Sequence, residues 1–177
     1  MPDLDTLFPG RFVKGRALEG PLLIRVVGIV GEPLEGDDGK KQLKGILRYR
    51  SWPDGTTMVP GEMILNKTNA LLAAAIFGTR DYTAWAGKLL VIAFDPTVKL
   101  GAETPGGIRV VGSPDLKAPL RVEVKRPRRS KPDVYVLQPT DNRGQPRTAR
   151  KAETKPDQTP PPNPEPATEP RDPGAEG

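Results

Sequence analysis

The 177-residue chain has no cysteine and no histidine. Their absence excludes disulfides, thiolate–zinc sites and any nucleophilic or acid–base chemistry that depends on a thiol or an imidazole. It also agrees with a reducing, intracellular setting. Aromatic residues are only 5% of the chain, which argues against a broad stacking platform. No apolar run approaches the roughly 20 residues of a membrane-crossing helix. The N-terminus has no basic-then-apolar signal pattern. A cytoplasmic protein without a membrane anchor is the expectation. Hydrophobic residues are only 36% and mean hydropathy is −0.49, both low for a chain that folds throughout.

What is present is distributed unevenly. The 22 prolines gather late, and residues 156–177 hold eight of them with no aromatic or branched aliphatic side chain. Such a segment cannot bury enough surface to offset the entropy of ordering, so it is expected to be disordered. Charge is also segregated. Residues 1–115 are nearly balanced at a net +1, residues 116–155 carry +8 and residues 156–177 carry −4. The basic segment points to a polyanion, with nucleic acid the first candidate.

The stretch from Glu62 to Asp95 holds the one convincing helix. Asn66–Asn69 offers a cap, Leu71, Leu72, Ala75 and Ile76 recur at helical spacing, and Gly78 suits a left-handed end. Around it lie candidate strands. Residues 22–30 are β-branched and nearly continuous, with Gly28 marking a bulge. Residues 31–40 are Gly-, Pro- and Asp-rich and read as a loop, with Asp37 and Asp38 as turn formers. Residues 41–50 alternate, with Leu43, Gly45, Leu47 and Tyr49 on the core side and Gln42, Lys44, Ile46, Arg48 and Arg50 outside. Trp52-Pro53-Asp54-Gly55 fits a type I turn, and the returning strand, 56–65, is interrupted by Pro60-Gly61, as at a sheet edge. Residues 88–94 and 108–112 form a further pair of strands. Tyr82, Trp85 and Phe77 are expected to pack inside. Residues 119–125 and 134–137 are accessory strands.

Residues 1–20 thus read as an irregular lead-in pinned by Phe8 and Phe12, 21–137 as the folded domain, and 138–177 as a disordered Pro-rich tail. The expected fold class is mainly β. Three strands, one helix and two strands is the order of the OB-fold, a five-stranded, partly open barrel whose second and third strands bind oligonucleotides or oligosaccharides. An α+β sandwich is the alternative.

The residues LNKTN (Leu65–Asn69), the helix end Phe77-Gly78, the segment Trp85-Ala86-Gly87-Lys88 and IRVVGSP (Ile108–Pro114) together resemble a family of small bacteriophage-encoded proteins of DNA replication and recombination regions. The likeness spans residues 8–114. It implies an OB-like domain, a single-stranded DNA-binding role, and phage or host replication and recombination proteins as candidate partners, in the cytoplasm of a host cell. It carries no site residues.

Candidate binding residues come from the pattern itself. Lys44, Arg48 and Arg50 line the outer face of the second strand, with Arg25 and Arg109 expected beside them and Trp52 as a stacking candidate. Cations neutralise phosphates and aromatic rings stack bases. Lys125, Arg126, Arg128, Arg129 and Lys131, followed by Arg143, Arg147, Arg150 and Lys151, read as a flexible basic arm. No Gly-rich phosphate loop precedes a helix and no carboxylate pair or activated nucleophile stands out, so neither an enzyme nor a cofactor is expected. A non-enzymatic single-stranded DNA-binding protein of low sequence preference is the leading reading. A protein-interaction module is the alternative. DNA and RNA, and the oligomeric state, are left open.

Overall fold

Local chemistry decides most elements in the computed structural model, which describes residues 10–36, 39–99, 104–125 and 130–147. The strands are β1 (Leu22–Glu35), β2 (Lys41–Ser51), β3 (Val59–Leu65), β4 (Leu89–Asp95), β5 (Gly107–Ser113), β6 (Leu120–Val124) and β7 (Asp133–Pro139), and the helix α1 (Lys67–Phe77) lies between β3 and β4. Asn66 caps α1, its side-chain oxygen accepting the Asn69 N–H at 2.8 Å, and Gly78 ends the helix at φ 69°. At Gly28 the β1–β2 register shifts, the expected bulge. The Trp52–Gly55 turn closes with Gly55 N–H donating to the Trp52 carbonyl at 3.1 Å.

β1 runs to Glu35, past the expected end at Val30, because Gly31–Glu35 finds a full partner in Lys41–Gly45. Opposite charges face each other there, Glu32 with Lys44 and Glu35 with Lys41, which favours the pairing. Asp37 and Asp38 lie outside the described residues.

The strands form one ladder in the order β3-β2-β1-β4-β5-β7-β6. Pairings are antiparallel except β5 with β7. The chain is therefore mainly β, as expected, but the sheet is open and has seven strands rather than closing as a five-stranded barrel. Among the described residues β3 and β5 share no ladder, because other groups occupy the edge of β5. β7 pairs with Gly112 and Ser113. The fully buried carboxamide of Asn69 takes the stretch before it, donating from Nδ2 to the Ile108 carbonyl at 2.8 Å and accepting the Val110 N–H at 3.2 Å. A side-chain amide thus stands where a neighbouring strand would, and satisfies two main-chain groups that burial would otherwise orphan. The lead-in adds to this closure. Val13 N–H donates to the Glu62 carbonyl, while Gly15 sits so close to Phe94 and the Gly107 backbone that a Cβ would meet them at 2.9–3.0 Å.

The core joins Ile24 and Val26 of β1, Leu47 and Tyr49 of β2, Met63 of β3, Leu90 and Ile92 of β4 and Val110 of β5 to Leu72 of α1 and Trp85. The accessory strands are part of it, through Val124 and Leu137. The buried positions of α1 are Asn69, Leu72 and Ala73, rotated from the expected stripe because Asn69 must reach β5. Trp85 is buried and meets Phe77 edge-on at 5.5 Å. Tyr82, expected inside, is 54% exposed. Tyr49 packs over Gly61, where a Cβ would lie 2.5 Å from its ring, so Pro60-Gly61 marks both the expected edge strand and a glycine required by close approach.

The described residues belong to one compact unit that ends at Arg147. Residues 138–147, expected to begin the tail, are instead part of the fold. Asp141 Oδ1 accepts the N–H groups of Arg143 and Gln145 at 2.8 and 2.9 Å, and Thr140 bridges Pro146. Gly144, at φ 79°, lies against Leu23 and Val91 and helps bury both on the sheet face opposite the core. The disordered tail was expected over 138–177, and the remainder of it, 148–177, falls outside the described residues. No helix among the described residues is long and apolar enough to cross a membrane.

Candidate nucleic-acid interface

Alternation along β2 puts Lys44, Ile46, Arg48 and Arg50 on one face. The β1–β2 register adds Arg25, directly opposite Arg50, and Glu32, directly opposite Lys44. The β2–β3 register adds Glu62, opposite Arg48. Five of the sequence-predicted residues, Arg25, Lys44, Arg48, Arg50 and Trp52, therefore do gather around the outer face of β1 and β2. Ile46 is the surprise on this face, being fully buried where alternation suggested exposure.

The face divides electrostatically. At one end Arg48 donates to Glu62 at 2.9 Å and to Glu32 at 3.4 Å, and Arg11 from the lead-in donates to the same two carboxylates at 2.6 and 2.8 Å. Hydrogen bonds from Arg11 above all hold Glu32 and Glu62 below the usual carboxylate range. Two arginines and two carboxylates cancel, so Arg48 is a network member rather than a free phosphate ligand. Sequence spacing could not reveal this, because Arg11 is 51 residues from Glu62.

At the other end Arg25 and Arg50 oppose each other with no carboxylate bonded to either among the described residues. Like charges directly across a ladder destabilise it, and folding alone gives no reason to put them there. The Arg25 guanidinium lies 5.4 Å from the centroid of the Trp52 ring. Both residues line a groove of about 800 Å³ whose lining also includes Leu22, Leu23 and Leu89. The lining also includes Arg143, delivered by the turn that Asp141 and Gly144 dock onto the sheet. The sequence pattern places Arg143 in a flexible arm. Only the packing of Gly144 against Leu23 and Val91 reveals it as part of this groove, although the Asp141-Asn142-Arg143-Gly144 turn chemistry was a local clue. Asp54 is the one acidic lining residue. Hydrogen bonding with Thr57, joined by the N–H of Thr56, keeps it ionised well below the usual range.

Arg109 is not part of this surface. It is 7% exposed, ion-paired with Asp95 at 3.2 Å, and stacked on Tyr135 at 5.2 Å, so its charge is spent inside the protein. Burial pushes the Asp95 carboxyl up, but hydrogen bonds from Thr97 and Arg109 outweigh this and leave it lowered. Lys125 and Lys131 are exposed at the ends of the β6–β7 connection, and Lys125 lines a different groove, beside α1. Arg126, Arg128 and Arg129 lie outside the described residues, as do Arg150 and Lys151. Among the described residues no cluster of acidic side chains could hold a metal ion. No family model, curated protein or solved structure matches the chain.

Proposed function

We propose that this chain is a non-enzymatic single-stranded DNA-binding protein of low sequence preference, acting in replication or recombination, as its resemblance to the phage-encoded family implies. The observation that carries this reading is the uncompensated Arg25–Arg50 pair beside Trp52. A local electrostatic conflict that folding does not need is a mark of a binding site. The groove supplies both elements of sequence-independent recognition, cations for phosphates and an indole face for a base. Arg25, Arg50 and Arg143 neutralise phosphates, and Trp52 stacks a base with its opposite face held by Arg25. The order β3-β2-β1-β4-β5 with α1 between β3 and β4 supports an OB-like arrangement of the first five strands, in which the β2 and β3 face is the oligonucleotide surface.

Three phosphate contacts imply a slope of log K against log salt of about −2, at roughly 0.7 per contact on a single strand. Affinity for labelled oligo-dT should then fall roughly 20-fold between 50 and 200 mM salt. Fluorescence anisotropy with the full-length chain measures this. Arg25→Glu with Arg50→Glu should abolish most binding, whereas Arg48→Gln should change it little. Unchanged affinity in the Arg25/Arg50 double variant refutes the site.

A further inference from the structure

A second surface lies beside α1 and serves none of these roles. Beside the buried Asn69, Leu72 and Ala73 runs another small-and-apolar stripe, Leu71, Ala74, Ala75 and Gly78, at helical spacing, in which Leu71 and Ala74 also pack partly against the core. Two hollows, of about 220 and 570 Å³, adjoin along it and share Leu71, Ala74 and Arg80. The smaller is almost wholly apolar, lined also by Ile29, Leu65, Tyr82 and Trp85. The larger lies between α1 and β6, with Lys67, Arg80 and Lys125 on its rim. None of these three cations has an ion pair among the described residues. The one carboxylate in the lining, Glu123, bonds Arg121 at 3.2 Å.

We propose that this groove docks a partner protein through a short acidic segment that presents leucine-like side chains. The apolar floor calls for branched aliphatic side chains, and the unpaired cationic rim calls for carboxylates beside them. Charge complementarity of this kind selects partners and speeds their encounter. Residues 156–177 of this chain are acidic but hold no aromatic or branched aliphatic residue, so they lack what the floor accepts. Tyr82 is the one exposed aromatic in the lining, and the hollow it borders is otherwise apolar, which suits aliphatic side chains better than a sugar–phosphate backbone. The partner is therefore a different polypeptide, and its docking does not depend on the DNA-binding groove.

The test uses the full-length chain and a fluorescein-labelled peptide, Asp-Leu-Glu-Asp-Leu-Leu-Glu-Asp, followed by anisotropy at low salt. Saturable binding is expected, with about tenfold loss when the leucines are replaced by serine, and about tenfold loss for Lys67→Glu with Arg80→Glu. Both substituted residues are exposed, so the fold should persist, and an unchanged melting curve checks this. Ala75→Gln, which narrows the groove without adding charge, should weaken binding as well. Arg25→Glu with Arg50→Glu should leave peptide affinity unaltered. Absence of saturable binding, equal binding of the serine peptide, or indifference to the rim reversal overturns the proposal. Displacement of the peptide by oligo-dT would assign the groove to nucleic acid, and displacement by a peptide of residues 156–177 would assign it to the chain's own tail; either result also overturns it.

Discussion

Asn69 offers a direct test of how the edge of β5 is closed. Its carboxamide donates to the Ile108 carbonyl and accepts the Val110 N–H, and the side chain is fully buried. Asn69→Ala removes both partners at once and gives neither main-chain group access to bulk water. Each buried group left unsatisfied costs about 1–3 kcal/mol, so the loss of two partners should cost about 2–6 kcal/mol. The N-cap should survive, because Asn66 bonds the main-chain N–H of residue 69 rather than its side chain. A loss of about 3 kcal/mol lowers the melting midpoint by roughly 10 °C in a domain of this size. Urea unfolding, followed by circular dichroism, measures the difference. Asn69→Asp sharpens the test. A carboxylate can still accept from Val110 but has nothing to donate to Ile108, and burial raises its pKa above the unfolded value of about 3.9. A raised folded pKa contributes stability that is present below the unfolded value and lost as pH rises through the folded one. The gap between Asn69→Asp and the wild-type chain should therefore be wide at pH 7 and narrow near pH 4. A cost below 1 kcal/mol for Asn69→Ala, or a gap in Asn69→Asp that ignores pH, would refute this account of the β5 edge.

Other substitutions probe neighbouring features. Gly61→Ala should lower the melting midpoint through about 1–3 kcal/mol of overpacking, since the new Cβ meets the buried Tyr49 ring, and Tyr49→Leu in the same chain should recover part of the loss. Gly144→Val combines a disfavoured positive φ with contact to Val91 and Leu23. It should lift the turn, exposing Leu23 and Val91, and lower oligo-dT affinity about as much as Arg143→Ala does. Glu32 and Glu62 have lowered pKa values in the folded chain, so their contribution is full above the unfolded value of about 4.3 and is lost as pH falls through the folded values. Glu32→Gln with Glu62→Gln should make the urea midpoint less sensitive to acidification from pH 6 to 3.5. Trp52→Ala should weaken oligo-dT binding by about 1–3 kcal/mol, one stacked base, with little change in melting temperature.

The groove that carries the functional proposal was partly legible in the primary structure. Arg50 and Trp52 follow from strand alternation and a turn motif, both local rules, and Arg25 from a strand whose apolar pattern is nearly continuous. What those rules could not show is which cations stay uncompensated. Arg48 and Arg50 are two residues apart on the same face, yet one is neutralised and the other is not, because the deciding carboxylates come from β1 and β3 and the competing arginine from the lead-in.

Elements whose signals act within a few residues were legible along the chain. The bulge at Gly28, the Asn66 cap, the left-handed Gly78, the Trp52–Gly55 turn and the order of strands around one helix all follow from backbone freedom, side-chain capping and periodicity. Matters that turn on residues far apart in the chain were settled by the fold. It buried Arg109 between Asp95 and Tyr135, opened the expected barrel by giving the β5 edge to Asn69 and β7, and docked the Gly144 turn so that Arg143 lines the same groove as Trp52. Burial and ion pairing are properties of the assembled neighbourhood, and a charged side chain reads the same along the chain whether it will meet a carboxylate, an aromatic ring or a ligand.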